Sequence, residues 1–367
     1  MGVFSLAAGS VVLAACGGSG LSSASQKAAK LTSAGNLTEL EKTAKSEGTL
    51  TLYTAIQTEQ AQPWVEKFTK KYGIEVKILR LSSADLGTTF QTQEQAGKNK
   101  GDVLQTSNLA QLKEFQGKGW LAHYTPAAAH LYPADRVVAG YFYPLYQSNG
   151  AIAWNTKVTP ADVQKVLVDD PYQGLLDPSM KGKIVLIDPS NGGSGMAYYA
   201  NMIVNYPDQY GWSYLEKLAA QEPAISESIA SISQQVSAGT YYATNFGDEA
   251  IFGPLAYDGA PLQFSSLETM NATQFMQAIP SDAPHPAAAR LFSEWSSSLA
   301  GQQAMTASTG GESSIKGWQD NVAYAEKLDW YQPPKNSWLE WRTDPRFQGD
   351  QLETFLEKWK SVFHMSS

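Results

Sequence analysis

The 367-residue chain carries a net charge of −8, is 43% hydrophobic and holds one cysteine. With no lysine- or arginine-rich run, that balance argues against a nucleic-acid partner gripped through its phosphates. A single cysteine allows no intramolecular disulfide.

Residues 3–15 are uncharged, small and apolar, and end in Leu13, Ala14, Ala15 and Cys16. The run is shorter than the roughly twenty residues of a membrane-spanning helix. It fits the apolar core of a secretory signal with small residues before its cut. The Leu-Ala-Ala-Cys order resembles a bacterial lipobox, which implies lipidation of Cys16 and an extracytoplasmic protein held to the bacterial membrane by that lipid alone. No basic segment precedes Val3, which predicts a start a few residues upstream. Residues 17–36, rich in Gly, Ser, Ala and Lys, bury too little to fold and are expected to form a flexible tether. The rest, about 320 residues, exceeds what one hydrophobic core usually holds, so two lobes are expected. No second apolar segment is long enough to span a bilayer.

Residues 36–48 predict a helix with Leu37, Leu40 and Ala44 on one side and Gly48 as its stop. Residues 49–53 alternate at period two and predict a strand. Trp64, Phe68 and Tyr72, at spacing four and followed by Gly73, predict a helix with a glycine stop. Ile74, Val76 and Ile78 predict a second strand, and helices over 85–97 and 108–119 flank a short strand at 102–104. This βαβαβα order predicts a parallel sheet covered by helices. A second unit begins near Ser148, with strands over 150–154, 184–187 and 241–246 and helices over 196–206 and 211–220. Apolar alternation returns at 272–279, and a helix follows over 286–299 with Leu291, Trp295 and Leu299. No short-period repeat is present, so solenoids and propellers are not expected. The fold class expected is α/β, two-lobed, with the ligand cleft between lobes at the carboxyl ends of the strands.

These segments, in this order, carry a family resemblance. Residues 49–55, the helix to Gly73, residues 74–76 and Gly101-Asp102-Val103 resemble the first lobe of ABC-importer solute-binding proteins of the ferric-iron, phosphonate and sugar-phosphate type. Asn155-Thr156, residues 181–190, Gly195, residues 237–239, residues 287–292 and Gly301-Gln302 resemble the remainder. The resemblance implies a periplasmic-binding-protein type II fold that closes on one small solute and hands it to a membrane permease with its ATPase. It also implies a monomer without cofactor or catalytic residues. The implied division is a signal over 1–16, a tether over 17–36, the first lobe over 37–147 and the second over 148–250. A return to the first lobe over 251–300 and a C-terminal helical segment over 301–367, packed on the second lobe, complete it.

Iron-binding members use a histidine after the first strand, a glutamate after the third and a tyrosine pair late in the second lobe. Here those places hold Gln57, Ser107 and Glu249-Ala250, so most of the anionic oxygen donors a ferric ion needs are replaced. Tyr241 and Tyr242 lie earlier, and on a strand they point to opposite faces, which favours core or surface roles. The four histidines, His123, His130, His285 and His364, lack metal spacing.

The leading ligand candidate is the loop 188–195 between a buried strand and a helix, with Ser190, Asn191, Gly193, Ser194 and Gly195. Helix amino ends offer free N–H groups and partial positive charge, glycine admits close approach, and serine adds donors. The alternative there is a plain capped turn. Matching first-lobe candidates are Thr54 and Ala55, Ser82 and Ser83, and Thr106 and Ser107, each of which could equally cap a turn. Arg80 is the candidate clamp for phosphate or carboxylate, with an exposed surface arginine as the alternative. Phe246, Asp248 and Glu249 follow the last second-lobe strand, where an acidic group could receive an ammonium or hydroxyl, or serve a helix start. The expected solute is small, polar, organic and anionic. The alternatives are ferric iron or its chelate, and a secreted carboxylate-based hydrolase. Against the hydrolase, Gly-x-Ser-x-Gly, His-Glu-x-x-His and Walker motifs are absent, and residues 192–196 lack the final glycine of the first. Trp64, Trp295 and Trp330 sit at helix-like spacings and read as packing.

Overall fold

A computed structural model describes residues 21–365 apart from residues 139, 192, 320, 340 and 342. Cys16 and the rest of the expected signal lie outside the described residues. Alternating threonine and leucine form β1 (Thr49–Thr54), with Leu50 and Leu52 fully buried. There follow β2 (Glu75–Arg80), β3 (Val103–Thr106) and the long β4 (Phe142–Asn149). Next come β5 (Ile152–Asn155), β6 (Ile184–Ile187), β7 (Ala224–Ser226), β8 (Ala243–Thr244) and β9 (Leu262–Ser265). β10 (Thr269–Ala278) and β11 (Asn336–Trp338) complete the set.

Among the described residues these strands make two sheets. The first has the order β11-β10-β3-β1-β2 with β4 also on β10; the second has the order β7-β6-β8-β5-β9. β1 is parallel to β2 and β3, as the βαβ order requires, whereas β10 is antiparallel to both β3 and β4. β4 is absent from the periodicity reading because Pro144 interrupts it. Its ladder accommodates the proline where the register shifts between Phe275 and Met276, an irregularity of the kind that tolerates a missing N–H.

The first-lobe core is assembled from distant segments. The helix Thr58–Tyr72 ends at Gly73, whose φ of 71° lets its N–H reach the Thr69 carbonyl at 2.8 Å. Its Trp64 stacks on Trp295 at 5.1 Å and its Phe68 meets Phe292 edge-on at 4.9 Å, both partners coming from the helix Pro286–Ser296. Burying each such ring contributes about 1.5–3 kcal/mol. Asp102 explains why Gly101-Asp102 precedes β3. Its buried carboxylate accepts from the Thr51 N–H (2.7 Å), the His285 N–H (2.5 Å) and His285 Nδ1 (2.9 Å). One side chain therefore ties β1 to the start of a helix far along the chain.

The lobes are joined where strands of the first sheet run into the second. Only Gly150 and Ala151 separate β4 from β5, and only residues 266–268 separate β9 from β10. The two crossings touch: the Gly150 N–H donates to the Asn271 carbonyl (2.8 Å), and Ser266 Oγ to the Gly150 carbonyl (3.0 Å). A Cβ on Gly150 would stand 2.6 Å from Asn271 Oδ1, so no larger residue fits without moving the neighbouring crossing.

Three expected boundaries are corrected. Within the expected tether, the helix Ser23–Ala29 docks on the first lobe. Arg290, 2% exposed, donates to the carbonyls of Ala29 (2.6 Å) and Leu31 (3.2 Å), a long-range tie invisible to composition. The second lobe extends past residue 250 to β9, whose Leu262 and Phe264 are buried in the pairing with β5; the return begins only at β10. Beyond residue 300, the helix Leu299–Thr309 stays with the first lobe and places Met305 in its core. The second-lobe packing starts later, with Val322 and Tyr324, and closes with the helix Gly349–Val362, where Trp359 meets Tyr199 at 5.5 Å. The expected strand over 241–246 narrows to two residues, because Asn245 leaves the ladder and its Oδ1 instead accepts the Ile187 N–H (3.1 Å).

Candidate functional site: the cleft between the lobes

A cavity of about 370 Å³ lies between the two sheets, at the carboxyl ends of β1, β2 and β6. On the first-lobe wall, β1 leads into Ala55, Ile56 and Gln57, and β2 ends at Arg80. The helix Thr58–Tyr72 starts at this wall, where Gln57 and Gln60 line the cavity, and no side chain among the described residues caps its amino end, the positive end of its dipole. Next to it, the helix Ser83–Gln95 is capped by Ser82, whose Oγ accepts the Asp85 N–H (3.1 Å) and donates to Asp85 Oδ2 (2.8 Å). Ser83 and Ser107 join hydroxyls at 3.1 Å on the same wall. The guanidinium of Arg80 is exposed and forms no ion pair or hydrogen bond among the described residues.

The second-lobe wall brings further helix starts. Glu227, Ser228 and Ile229 open the helix Ile229–Ser237, and Gly195 lies in the first turn of the helix Gly193–Asn205. A Cβ on Gly195 would come within 2.9 Å of the Asp188 carbonyl, so glycine is what allows the close passage there. Phe246 and Asp248 end the turn after β8. Gly247 between them has its N–H on the Ala151 carbonyl (2.7 Å), and a Cβ would stand 2.7 Å from that oxygen and from the Ala153 nitrogen. The floor is a stacked cross-strand pair, Tyr146 on β4 and Phe275 on β10, with ring centroids 4.9 Å apart and planes 6° from parallel.

Asp248 is the most unusual group in the cavity. It is 7% exposed, and its Oδ1 accepts both the Ser148 hydroxyl (2.5 Å) and the Ala250 N–H (3.1 Å). Among the described residues no hydrogen bond reaches Oδ2. Burial pushes the carboxyl up to about 6, against the opposing pull of those two donors. The same charge reaches Tyr146, whose phenol is raised first by burial and then by Asp248.

Of the residues singled out in the sequence, Ala55, Arg80, Ser82, Ser83, Ser107, Gly195, Phe246 and Asp248 meet in this cavity. Others do not. Thr54 and Thr106 are fully buried; Thr54 Oγ1 donates to Gln105 Oε1 (3.0 Å), and Thr106 Oγ1 accepts the Asn108 N–H (3.1 Å). Ser190 donates its hydroxyl and its N–H to Asp188 Oδ1 and serves the turn, not the cavity. The side chains of Asn191, Gly193 and Ser194 fall outside the description. Glu249 is turned from the cavity towards the crossings, accepting from Asn149 Nδ2 (3.2 Å) and the Tyr331 hydroxyl (3.3 Å). Its carboxyl is raised well above the usual range by burial and then by Glu312. Tyr241 and Tyr242 are not among the lining residues. Tyr146, Ser148, Thr273 and Phe275 were not singled out, because they lie on the crossing strands and not on loops after strands.

The chain matches the family of bacterial extracellular solute-binding proteins over residues 54–303, more than half its length, and it belongs to that family. It is therefore a binding protein for a small solute, not an enzyme. Among solved structures, iron-bound HitA from Pseudomonas aeruginosa has a TM-score of 0.64 at 20% identity, over 86% of this chain and 99% of that one. The substrate binding protein of the ABC transporter from Agrobacterium tumefaciens gives 0.71 at 17%, over 87% and 96%. AfuA from Actinobacillus pleuropneumoniae, with exogenous fructose-6-phosphate bound, gives 0.68 at 19%, over 87% and 100%. These likenesses establish the two-lobed periplasmic-binding-protein fold. No curated relative matches.

The raised Asp248 carboxyl has a measurable sign. The folded state holds this proton more tightly than the unfolded state, so the group's effect is destabilising above about pH 6 and fades as pH falls towards its ordinary value. Asp248→Asn should gain stability relative to wild type between pH 4.5 and pH 7, by at most about 3 kcal/mol. Denaturant unfolding at both pH values checks this; an unchanged difference would mean that the buried carboxylate is not strained.

Proposed function

We propose that this protein is the lipid-anchored receptor of an ABC importer, capturing a small polar organic solute through its anionic group and passing it to a permease when the lobes close. The observation that carries the reading is the Arg80 guanidinium, without a partner among the described residues, in one cavity wall with the start of the helix Thr58–Tyr72, whose amino end no side chain among them caps. Both attract an anion: the guanidinium by bidentate hydrogen bonding, the helix end by free N–H groups and dipole. A cavity of about 370 Å³ suits a small organic molecule and has aromatic faces for its apolar part. Gln57 and Ser107, at the places where iron-binding relatives are expected to carry histidine and glutamate, offer a neutral amide and a hydroxyl here. That donor set favours an organic anion over a bare ferric ion. The fructose-6-phosphate bound by AfuA is an organic anion of the size this reading requires. Closure would turn on the paired crossings at Gly150 and Asn271, and Cys16 would hold the receptor to the membrane.

A thermal-shift screen of phosphonates, sugar phosphates, carboxylates, polyamines and ferric citrate identifies the solute, since binding raises the melting temperature by mass action. For the tightest organic anion, Arg80→Ala should weaken binding about ten- to hundredfold by calorimetry, roughly 1.5–3 kcal/mol. An unchanged affinity, or a shift with ferric citrate alone, contradicts the organic-anion reading. Cys16→Ser should move the protein from the membrane to the soluble fraction; continued membrane retention contradicts the anchor.

A further inference from the structure

The anion-attracting wall leaves one group of the cavity unexplained. Asp248 lies at the other wall, more than nine-tenths buried; among the described residues both of its side-chain hydrogen bonds fall on Oδ1 and none reaches Oδ2. A buried carboxylate without a counter-charge is strongly unfavourable, and in native proteins such groups are paired. Two hydroxyls lie on the same cavity surface without partners among the described residues, those of Tyr146 and of Thr273, which is 2% exposed. Either could donate a hydrogen bond, but neither could balance a charge. Among the described residues the charged lining side chains are Arg80, Asp85, Glu227 and Asp248; Asp85 is held by Ser82 and Glu227 has a partner of its own, which leaves Asp248 as the buried charge to be matched. A purely anionic solute would leave Asp248 without a counter-charge. A solute with a cation at its far end would not.

Resting on the reading of Arg80 as the anion clamp, we infer that the solute also carries a protonated amino group, received by Asp248 Oδ2, so that the receptor selects small zwitterionic organic solutes over simple organic anions. The cavity then reads both ends of one molecule, the anionic end on the first-lobe wall and the ammonium where the second-lobe turn meets β4. Ser148 and Ala250 act as positioning groups, fixing Oδ1 so that Oδ2 is left for the solute.

Matched pairs test this directly by calorimetry at pH 7: glucosamine 6-phosphate against glucose 6-phosphate, β-alanine against propionate, and phosphoethanolamine against ethyl phosphate. In wild type, the amine of at least one pair should bind about thirtyfold or more tightly than its twin, in line with a desolvated charge pair. Asp248→Asn, whose Oδ1 can still accept from Ser148 and Ala250, should erase that preference. The twin comparison in wild type needs no variant, so a misfolded Asp248→Asn cannot mask the result. Twins that bind equally, or a preference that survives Asp248→Asn, overturn the inference while leaving the anion receptor standing. No binding by any of the six overturns the inference, while the anion receptor still stands or falls on the thermal-shift screen and Arg80→Ala.

Discussion

Much of the architecture follows from one antiparallel ladder, β4 against β10. Both strands belong to the first sheet, and at its far end both pass within a few residues into the second. The ladder fixes where the lobes meet and leaves Gly150 and Asn271 as the narrow passage between them. It also supplies the floor of the cavity, because Tyr146 and Phe275 are cross-strand partners on the face turned to the cleft.

The end of β4 shows how that geometry becomes chemistry. Ser148 and Asn149 are successive strand residues and so point to opposite faces. Ser148 meets Asp248 on the cavity side, and Asn149 meets Glu249 on the side of the crossings. Asp248 caps the helix Glu249–Tyr257 and Glu249 opens it, so one strand end and one helix start are joined twice over. On the hidden face Asn149 also donates to Glu312 (3.4 Å), and Gln147 exchanges backbone hydrogen bonds with Glu312. The third passage of the chain between lobes is thereby fastened to the same strand. Among the described residues each acid keeps one oxygen without a partner, Oδ2 of Asp248 in the cavity lining and Oε1 of Glu249 shut away from it. Access to the cavity, and not the count of hydrogen bonds, separates the carboxylate within a solute's reach from the enclosed one.

Local pattern made much of the fold legible. Threonine–leucine alternation gave β1, spacing-four aromatics gave the helix Thr58–Tyr72, and Gly73 gave its stop. β4 escaped because Pro144 breaks the run, and β9 because four residues after a turn carry too little periodicity. The docking of Ser23–Ala29 depends on Arg290, some 260 positions away, which no window of sequence can register. Hydroxyl-rich loops after strands pointed to Ser82, Ser83 and Ser107, which line the cavity. The same signal also marked Thr54, Thr106 and Ser190, which do not line the cavity and whose side chains serve turns of their own backbone or a buried partner. Asp248 and Glu249 are adjacent acids, and only the meeting with β4 tells them apart.

The central claim is that two lobes, hinged at the crossings, close on one solute that touches both walls. Small-angle scattering of the protein alone and saturated with its tightest organic solute tests it most directly. The account predicts a smaller radius of gyration for the saturated protein, because closure draws the lobes together. Identical scattering profiles with the solute demonstrably bound would contradict it.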